Sequence, residues 1–133
     1  DIAKAIIPVI YVKINFPELI YIASLCAFLG RVFPIWLKFK GGKGVATYVG
    51  ILFSINMLLG VVFIITWGII FLIFRYSSLS SIIGSFSVPT YILITGQIYS
   101  SIFFGIMFIL IFFTHRENIK RLKNKEESRT KIY

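Results

Sequence analysis

Two long apolar runs constrain this chain more than any other feature of its sequence. No charged residue occurs in the 31 positions from Gly44 to Phe74, or in the 39 positions from Tyr76 to Thr114. A helix that crosses a membrane needs roughly 20 apolar residues, so these runs hold about four crossings. The whole chain is 58% hydrophobic and only 14% charged, whereas soluble domains have about 25% charged residues. The sequence therefore predicts an all-α, polytopic transmembrane helical bundle and excludes soluble globular, disordered and fibrous proteins.

Charged residues and helix breakers divide the chain into six predicted membrane helices. Residues 45–74 would form a single helix about 46 Å long, which exceeds the hydrocarbon thickness of about 30 Å. We therefore expect a break at Leu59–Gly60. The predicted helices cover residues 1–13, 18–30, 45–58, 60–74, 79–95 and 98–114. We treat residues 1–133 as one transmembrane domain with a basic tail at 115–133.

The basic residues indicate how this bundle is oriented. The net charge is +9, and cytoplasmic loops of membrane proteins carry an excess of Lys and Arg. If the tail is cytoplasmic, six helices place the start of the chain and the segments 31–43 and 75–81 on the same side. The opposite turns, near 14–17, 58–60 and 96–98, then carry no Lys or Arg. The charge also predicts contact with anionic lipid headgroups rather than nucleic acid.

The chain has one cysteine and one histidine, which disfavours nucleophilic cysteine chemistry and a metal site. The one cysteine, Cys26, lies in an apolar stretch, and we predict that it is a small buried hydrophobe rather than a nucleophile. The one histidine, His115, and the scarcity of carboxylates predict no metal site and no cofactor.

A glycine-rich segment, KFKGGKGVAT at 38–47, is the first candidate site. Three glycines in four residues allow a ligand to approach the backbone closely, and successive amide groups can bind an anion. Lys43 adds a full positive charge, so a phosphate group is the expected ligand. A Walker A loop is excluded because Gly44 follows the lysine where that motif has Ser or Thr. The alternative is a flexible interfacial loop whose lysines only set the topology.

Two further polar clusters flank the last predicted membrane helices. The serines of RYSSLSS, at 75–81, either cap the next helix or bind ligand oxygens. His115 and Asn118 are three residues apart, which places them on one helix face. The alternative for residues 115–122 is an interfacial helix with a solvated basic face.

These segments resemble one family. LGRVFPIWLKFKGGKGVAT, at 29–47, is similar to the signature GHxFPxFxxFKGGKGVAT of the bacterial membrane acyl-phosphate:glycerol-3-phosphate acyltransferases. RYSSLSS resembles the serine loop of that family, and HRENIKRL, at 115–122, resembles its HxxNIxRL motif. Glu127 stands where the family has a glutamate. Asp1 and Lys4 match the DxxKG region, with Ala5 in place of glycine.

The resemblance implies a fold and an activity. Members have seven transmembrane helices in the bacterial inner membrane, with the active site on the cytoplasmic side. They transfer a fatty acyl group from acyl-phosphate to the 1-hydroxyl of sn-glycerol 3-phosphate, which yields lysophosphatidic acid and phosphate for phospholipid biosynthesis. They use no metal and no acyl-CoA. The expected partners are these two substrates and membrane lipids, and no nucleic acid.

The resemblance also implies roles for individual residues. Ser78, His115 and Asn118 are the expected catalytic residues, with Ser77 nearly as good as Ser78. Arg121 and Glu127 are expected to support them. The substrate's own phosphate is expected to serve as the base. The expected phosphate-binding residues are Lys40, Gly41, Gly42, Lys43, Gly44 and Thr47.

Two departures from the family pattern bear on activity. The first family motif, SGNxGATN, is absent together with its helix, and Arg31 replaces the signature histidine. We therefore expect an N-terminally truncated chain that is inactive alone, with a separately encoded N-terminal fragment as one expected partner. The alternative is a catalytically inactive membrane remnant or small structural membrane protein. An anion transporter is disfavoured because the apolar runs contain no charged residue.

Overall fold

The computed structural model describes residues 2–32, 44–125 and 127, and within these ranges every element is helical. The six helices that precede residue 115 begin and end within about three residues of the predicted bounds, and a short 3₁₀ turn, Pro17–Leu19, follows the first. This confirms the all-α prediction. The helices are α1 (Ile2–Asn15), α2 (Ile20–Val32), α3 (Val45–Ile55), α4 (Met57–Phe74), α5 (Ser77–Ile94), α6 (Ile98–Thr114) and α7 (Arg116–Lys123).

The chain divides into two compact units, residues 1–61 and residues 62–133. In the first unit α1 packs against α2 and α3. Its fully buried apolar side chains are Val9, Phe28, Tyr48, Ile51 and Leu52. In the second unit α5 packs along α6, and α7 contacts both of them. Its most buried apolar side chains include Phe63, Val88, Phe104, Met107 and Ile111.

Helix length and composition identify the membrane spans among the described residues. α4 and α5 are each long and apolar enough to cross a membrane. α6 and α7 qualify together as a third span, although the chain bends by 64° between them. Residues 6–15 of α1 and the whole of α3 are shorter apolar helices. That all six predicted helices cross the membrane therefore stays a prediction.

The break in the first apolar run lies at Asn56, so the prediction of Leu59–Gly60 is wrong. Asn56 is extended, with φ −159° and ψ 120°, and its Oδ1 accepts a hydrogen bond from the Leu58 amide at 3.0 Å. An Asn oxygen at this position satisfies one of the donors that the start of a helix exposes. Gly60 lies inside α4, where a Cβ would come within 2.6 Å of the Phe53 ring. This glycine serves close packing rather than a break.

Cys26 is exposed, so the prediction that it is buried is wrong. Ser24, Phe28 and Val32 are the buried residues of α2, and their spacing of four defines its inner face. Cys26 is two residues from Ser24 and Phe28, which turns its side chain about 200° away from that face. The surrounding sequence is apolar on all sides of the helix, so it carries no signal for which face is buried.

Lys13 links α1 to the end of α3. Its Nζ donates to the backbone oxygens of Ser54 at 3.0 Å and Ile55 at 3.1 Å. A cation at these carbonyls is favourable because the C-terminal end of a helix carries partial negative charge.

We expect Lys13→Met to lower the free energy of unfolding by about 1 kcal/mol, measured by denaturation in detergent. Glu18→Gln, at an exposed position of the same unit, is the control. Equal midpoints for the two variants would contradict the prediction.

Candidate functional site

Three donors from two distant segments converge on one carboxylate in the second unit. Ser78 Oγ and Asn118 Nδ2 each donate to Glu127 Oε2 at 2.8 Å. Arg121 Nε donates to Glu127 Oε1 at 3.1 Å, which makes an ion pair. We call Ser78, Asn118, Arg121 and Glu127 the Glu127 cluster. It brings together four residues that the family resemblance selects: Ser78 from the serine loop, Asn118 and Arg121 from the HxxNIxRL motif, and the glutamate that follows that motif.

Local structure explains how these side chains meet. Ser78 is the second residue of α5, and Asn118 and Arg121 lie one turn apart on α7. The chain reverses after α7 at Lys125, which adopts a left-handed conformation with φ 60°. The Lys125 amide donates to the Leu122 oxygen at 3.2 Å, which closes the turn. Glu127 follows two residues later and therefore returns to the helix that the chain has just left.

The cluster favours an ionised Glu127. Its side chain is only 10% exposed, and burial alone would raise the pKa of a carboxyl group. Hydrogen bonds from Asn118, Ser78 and Arg121, together with the Arg121 charge, outweigh burial and lower the pKa of Glu127 from 4.5 to about 2. A carboxylate is a pure acceptor, so Asn118 must turn its NH₂ group and Ser78 its hydroxyl proton towards it. The orientation of both side chains is therefore determined.

The serine segment is not a helix cap. The N-cap position of α5 is Tyr76, which makes no side-chain capping bond. Ser80 Oγ donates to the Tyr76 oxygen at 2.7 Å, and Ser81 Oγ donates to the Ser77 oxygen at 3.0 Å. The capping alternative is therefore wrong. Ser78 is buried whereas Ser77 is exposed, and this difference separates the two candidates.

His115 lies at the bend between α6 and α7. It is only 3% exposed, and its Nδ1 lies 2.9 Å from the backbone oxygen of Ile111. A carbonyl only accepts hydrogen bonds, so Nδ1 carries a proton, and in the neutral ring Nε2 is then an acceptor. The first turn of α7 begins on this residue, because the Ile119 amide donates to the His115 oxygen at 2.9 Å. His115 and Asn118 are both buried.

The glycine-rich segment is described only in part, and it belongs to the first unit. Gly44 is buried with φ +85°, and a Cβ there would lie 2.5 Å from the Phe28 ring and 2.8 Å from Val32. Thr47 is buried in the first turn of α3. Arg31, at the histidine position of the family signature, is exposed in the last turn of α2. The predicted residues Lys40, Gly41, Gly42 and Lys43 lie outside the described residues.

Two features of the second unit were not found by sequence reasoning. Trp67 Nε1 donates to Ser81 Oγ at 3.1 Å, which ties α4 to the start of α5. Trp67 is also stacked on Phe71, with ring centroids 4.8 Å apart. A Trp with an N–H donor inside a membrane helix usually finds a partner, so a nearby serine was the available signal. For the left-handed Lys125 there was no signal, because lysine does not favour that conformation.

Lys125 offers a direct test of the turn that returns Glu127. A left-handed conformation costs a non-glycine residue roughly 1–2 kcal/mol, which glycine avoids. We expect Lys125→Gly to raise the free energy of unfolding by about 1 kcal/mol, offset in part by the greater freedom of glycine in the unfolded chain. Lys125→Val should have the opposite effect, because a β-branched residue tolerates this conformation least. Thermal unfolding in detergent measures both, and a less stable glycine variant would contradict the turn geometry.

Comparison with known proteins places the chain in a family. The sequence model described as glycerol-3-phosphate acyltransferase matches residues 1–125. The chain belongs to the glycerol-3-phosphate acyltransferase family. It is 72% identical over 133 residues to the glycerol-3-phosphate acyltransferase of Pelagibacter ubique (strain HTCC1062), covering 100% of this chain and 69% of that protein. It is 47% identical over 113 residues to the glycerol-3-phosphate acyltransferase of Bradyrhizobium diazoefficiens, covering 85% of this chain and 57% of that protein.

Solved structures of this family agree in fold. The structure matches the crystal structure of PlsY (YgiH), an integral membrane glycerol 3-phosphate acyltransferase, in its glycerol 3-phosphate form. The TM-score is 0.89 at 31% identity, covering 98% of this chain and 67% of that chain. The lysophosphatidic acid form matches with the same TM-score. This confirms the transmembrane fold class. The chain spans between 57% and 69% of the length of these relatives.

Proposed function

We propose that this chain carries most of an acyltransferase that moves a fatty acyl group from acyl-phosphate to sn-glycerol 3-phosphate. The products are lysophosphatidic acid and inorganic phosphate. The observation that carries the proposal is the Glu127 cluster, because its contacts join the serine loop to the HxxNIxRL motif. Family membership supports the acyl acceptor, since the matched relatives are named as glycerol-3-phosphate acyltransferases. The acyl-phosphate donor rests on the resemblance of the KGGKGVAT segment.

The reaction needs orientation and charge compensation more than a covalent nucleophile. The hydroxyl oxygen of glycerol 3-phosphate forms a bond to the acyl carbon, and the bond from that carbon to the donor's phosphate breaks. The hydroxyl proton passes to a phosphate oxygen of the substrates. Phosphate is already a good leaving group, so the protein mainly holds two anions together against their mutual repulsion. In this proposal Lys40, Lys43, Thr47 and the glycine amides bind phosphate.

In the proposed site, the Glu127 cluster orients Ser78 and Asn118 to bind the acyl acceptor, glycerol 3-phosphate. Ser78 commits its proton to Glu127, so its oxygen has lone pairs for a hydrogen bond from a substrate hydroxyl. Asn118 donates an N–H of its amide to the same carboxylate, which fixes the orientation of the amide beside the proposed acceptor site. His115 lies three residues before Asn118 and is expected to hold a glycerol or phosphate oxygen beside it. Arg121 and Glu127 are positioning residues.

The charge pattern supports a cytoplasmic active site in a bacterial inner membrane, because the predicted basic loops share one face.

Complementation tests the function in a strain that lacks its own enzyme of this type. Two versions are compared: residues 1–133 alone, and residues 1–133 behind a family helix that carries SGNxGATN. We expect growth with the second version, which we call the chimera, and none with the first. A chimera that reaches the membrane without supporting growth would favour the inactive remnant.

Lys43 is expected to contribute directly to phosphate binding. A hydrogen bond to a charged group contributes roughly 1.5–3 kcal/mol, which corresponds to about a ten- to hundredfold change. We therefore expect Lys43→Ala in the chimera to lower acyl transfer by that factor. Lys38→Ala, in the same segment, is the matched control and should have little effect. If both variants keep the turnover and the KM for glycerol 3-phosphate of the parent, the lysines serve only topology.

A further inference from the structure

α7 presents two opposite faces. Asn118 is buried on one face and belongs to the Glu127 cluster. Arg116, Lys120 and Lys123 are all exposed. At about 100° per residue these three cations fall within about 60° of arc, on the side opposite Asn118. We call Arg116, Lys120 and Lys123 the α7 basic stripe.

The stripe begins where an apolar helix ends. α7 follows α6 directly, across a bend of 64°, and Phe112 and Phe113 at the end of α6 are exposed. The Arg116 guanidinium lies 4.5 Å from the centre of the Phe113 ring and donates to the Phe113 backbone oxygen at 3.1 Å. Exposed Phe side chains at the end of a span lie in the hydrocarbon layer, and a cation that directly follows them extends to the lipid headgroups. The geometry therefore places the first cation of the stripe at the level of the headgroups.

We propose that the α7 basic stripe binds the phosphate groups of anionic membrane lipids. Lys and Arg beside an anionic membrane surface are attracted to it, and the attraction corresponds to about fivefold in binding for each cation. Among the described residues of α7, Glu117 is the only acid, and it lies outside the stripe, about 100° around the helix from Arg116 and about 60° from Lys120. The stripe thus meets the bilayer with three positive charges and no intervening carboxylate. A zwitterionic headgroup offers no net charge to this surface.

Lipid binding to the basic stripe also holds the residues on the opposite face of the same short helix in place. α7 has eight residues, a length of about 12 Å, so its two faces move together. Lipid phosphates that hold the stripe also hold Asn118 and Arg121 against Glu127. This coupling rests on the proposed function, and it makes the enzyme more active in a bilayer rich in anionic lipid. Because acylation of glycerol 3-phosphate supplies the precursor of anionic lipids, the coupling links the enzyme to the composition of the membrane.

Binding is measured without reference to activity. The chain is reconstituted with spin-labelled phosphatidylglycerol or phosphatidylcholine, and the protein-associated fraction of each lipid is read from its spectrum. We expect a several-fold preference for phosphatidylglycerol that is lost at high salt and in a Lys120→Gln/Lys123→Gln variant. Lys120→Gln and Lys125→Gln form a matched pair, since both remove one exposed lysine but only the first lies on the stripe. Equal association of both lipids with the unaltered chain, or equal effects of the matched pair, would overturn the proposal.

Acyl transfer by the chimera is then compared between phosphatidylcholine bilayers with and without phosphatidylglycerol. We expect a higher kcat with phosphatidylglycerol, and this gain should disappear in the Lys120→Gln/Lys123→Gln variant. The same kcat in both bilayers would overturn the coupling. Absence of transfer in every bilayer would instead count against the proposed function, because the spin-label measurement decides the lipid site independently.

Discussion

Glu127→Gln is expected to reduce acyl transfer by the chimera by about a hundredfold or more. The glutamine amide keeps one acceptor oxygen but turns an NH₂ group towards donors that previously faced a carboxylate. Arg121 loses its ion pair. If the amide oxygen takes the Oε2 position, the NH₂ group faces Arg121 Nε; if it takes the Oε1 position, Ser78 and Asn118 both lose their acceptor. A buried group left unsatisfied costs about 1–3 kcal/mol. The orientation of Ser78 and Asn118 is then no longer determined. The initial rate and the thermal midpoint should therefore both fall.

Glu117→Gln is the matched control, because it changes the same residue type at an exposed position of α7. It should leave the rate and the midpoint close to those of the parent. Wild-type rates in Glu127→Gln would contradict the positioning role. A lower midpoint with an unchanged rate would show that the Glu127 cluster only stabilises the fold.

Lowering the pH should remove the stabilisation by the Glu127 carboxylate without any mutation. The pKa of Glu127 is lowered on folding, so its stabilisation is complete above about pH 4.5 and is lost as the pH falls towards 2. The contribution is smaller than the full pKa shift would give, because Arg121 is 40% exposed and solvent screens its charge. We expect the midpoints of the parent and of Glu127→Gln to approach one another over this range. A difference that is constant across the range would contradict the lowered pKa.

Gly44→Ala is expected to lower the free energy of unfolding by about 3 kcal/mol. The backbone at Gly44 has φ +85°, a conformation that costs an alanine roughly 1–2 kcal/mol. The new Cβ would also lie 2.5 Å from a buried phenylalanine ring, Phe28, so that ring or the backbone must shift. Overpacking of this kind costs roughly 1–3 kcal/mol. The glycine-rich segment should therefore lose its support on α2.

Gly30→Ala is the control for this prediction, because the two glycines differ in backbone and surroundings. Gly30 lies inside α2, and a Cβ there meets no atom within 4 Å. Alanine is the better helix former, so this substitution should raise the free energy of unfolding by about 0.5–1 kcal/mol. Denaturation in detergent should move the two midpoints in opposite directions. A Gly44→Ala variant as stable as Gly30→Ala would contradict the close packing at this turn.

The helix positions could be predicted from the sequence because charges, prolines and glycines mark most of the ends. The predictions were wrong where a residue type serves packing rather than a helix end, or where composition does not distinguish one helix face from another. Gly60 resembled a break but makes room for Phe53, while the true break relies on the Asn56 side chain. Cys26 lies in a segment that is apolar all round, where composition does not indicate which face is buried.

The candidate site could be predicted only in part for a different reason. Ser78 and Glu127 are 49 residues apart, and no spacing rule brings them together. Family resemblance identified both residues, and the contact between them required the fold. The way Glu127 returns to α7 depends on Lys125 in a left-handed conformation, which its residue type does not indicate. Residues 38–43 of the glycine-rich segment lie outside the described residues, so their role stays a prediction.

The identity of the acyl donor tests the proposed function most directly. Membranes that contain the chimera are incubated with labelled glycerol 3-phosphate and either palmitoyl-phosphate or palmitoyl-CoA, and labelled lysophosphatidic acid is measured. We expect product from palmitoyl-phosphate, none from palmitoyl-CoA, and a large loss with Glu127→Gln. Product from palmitoyl-CoA, or a rate from palmitoyl-phosphate that does not depend on Glu127, would contradict the proposal.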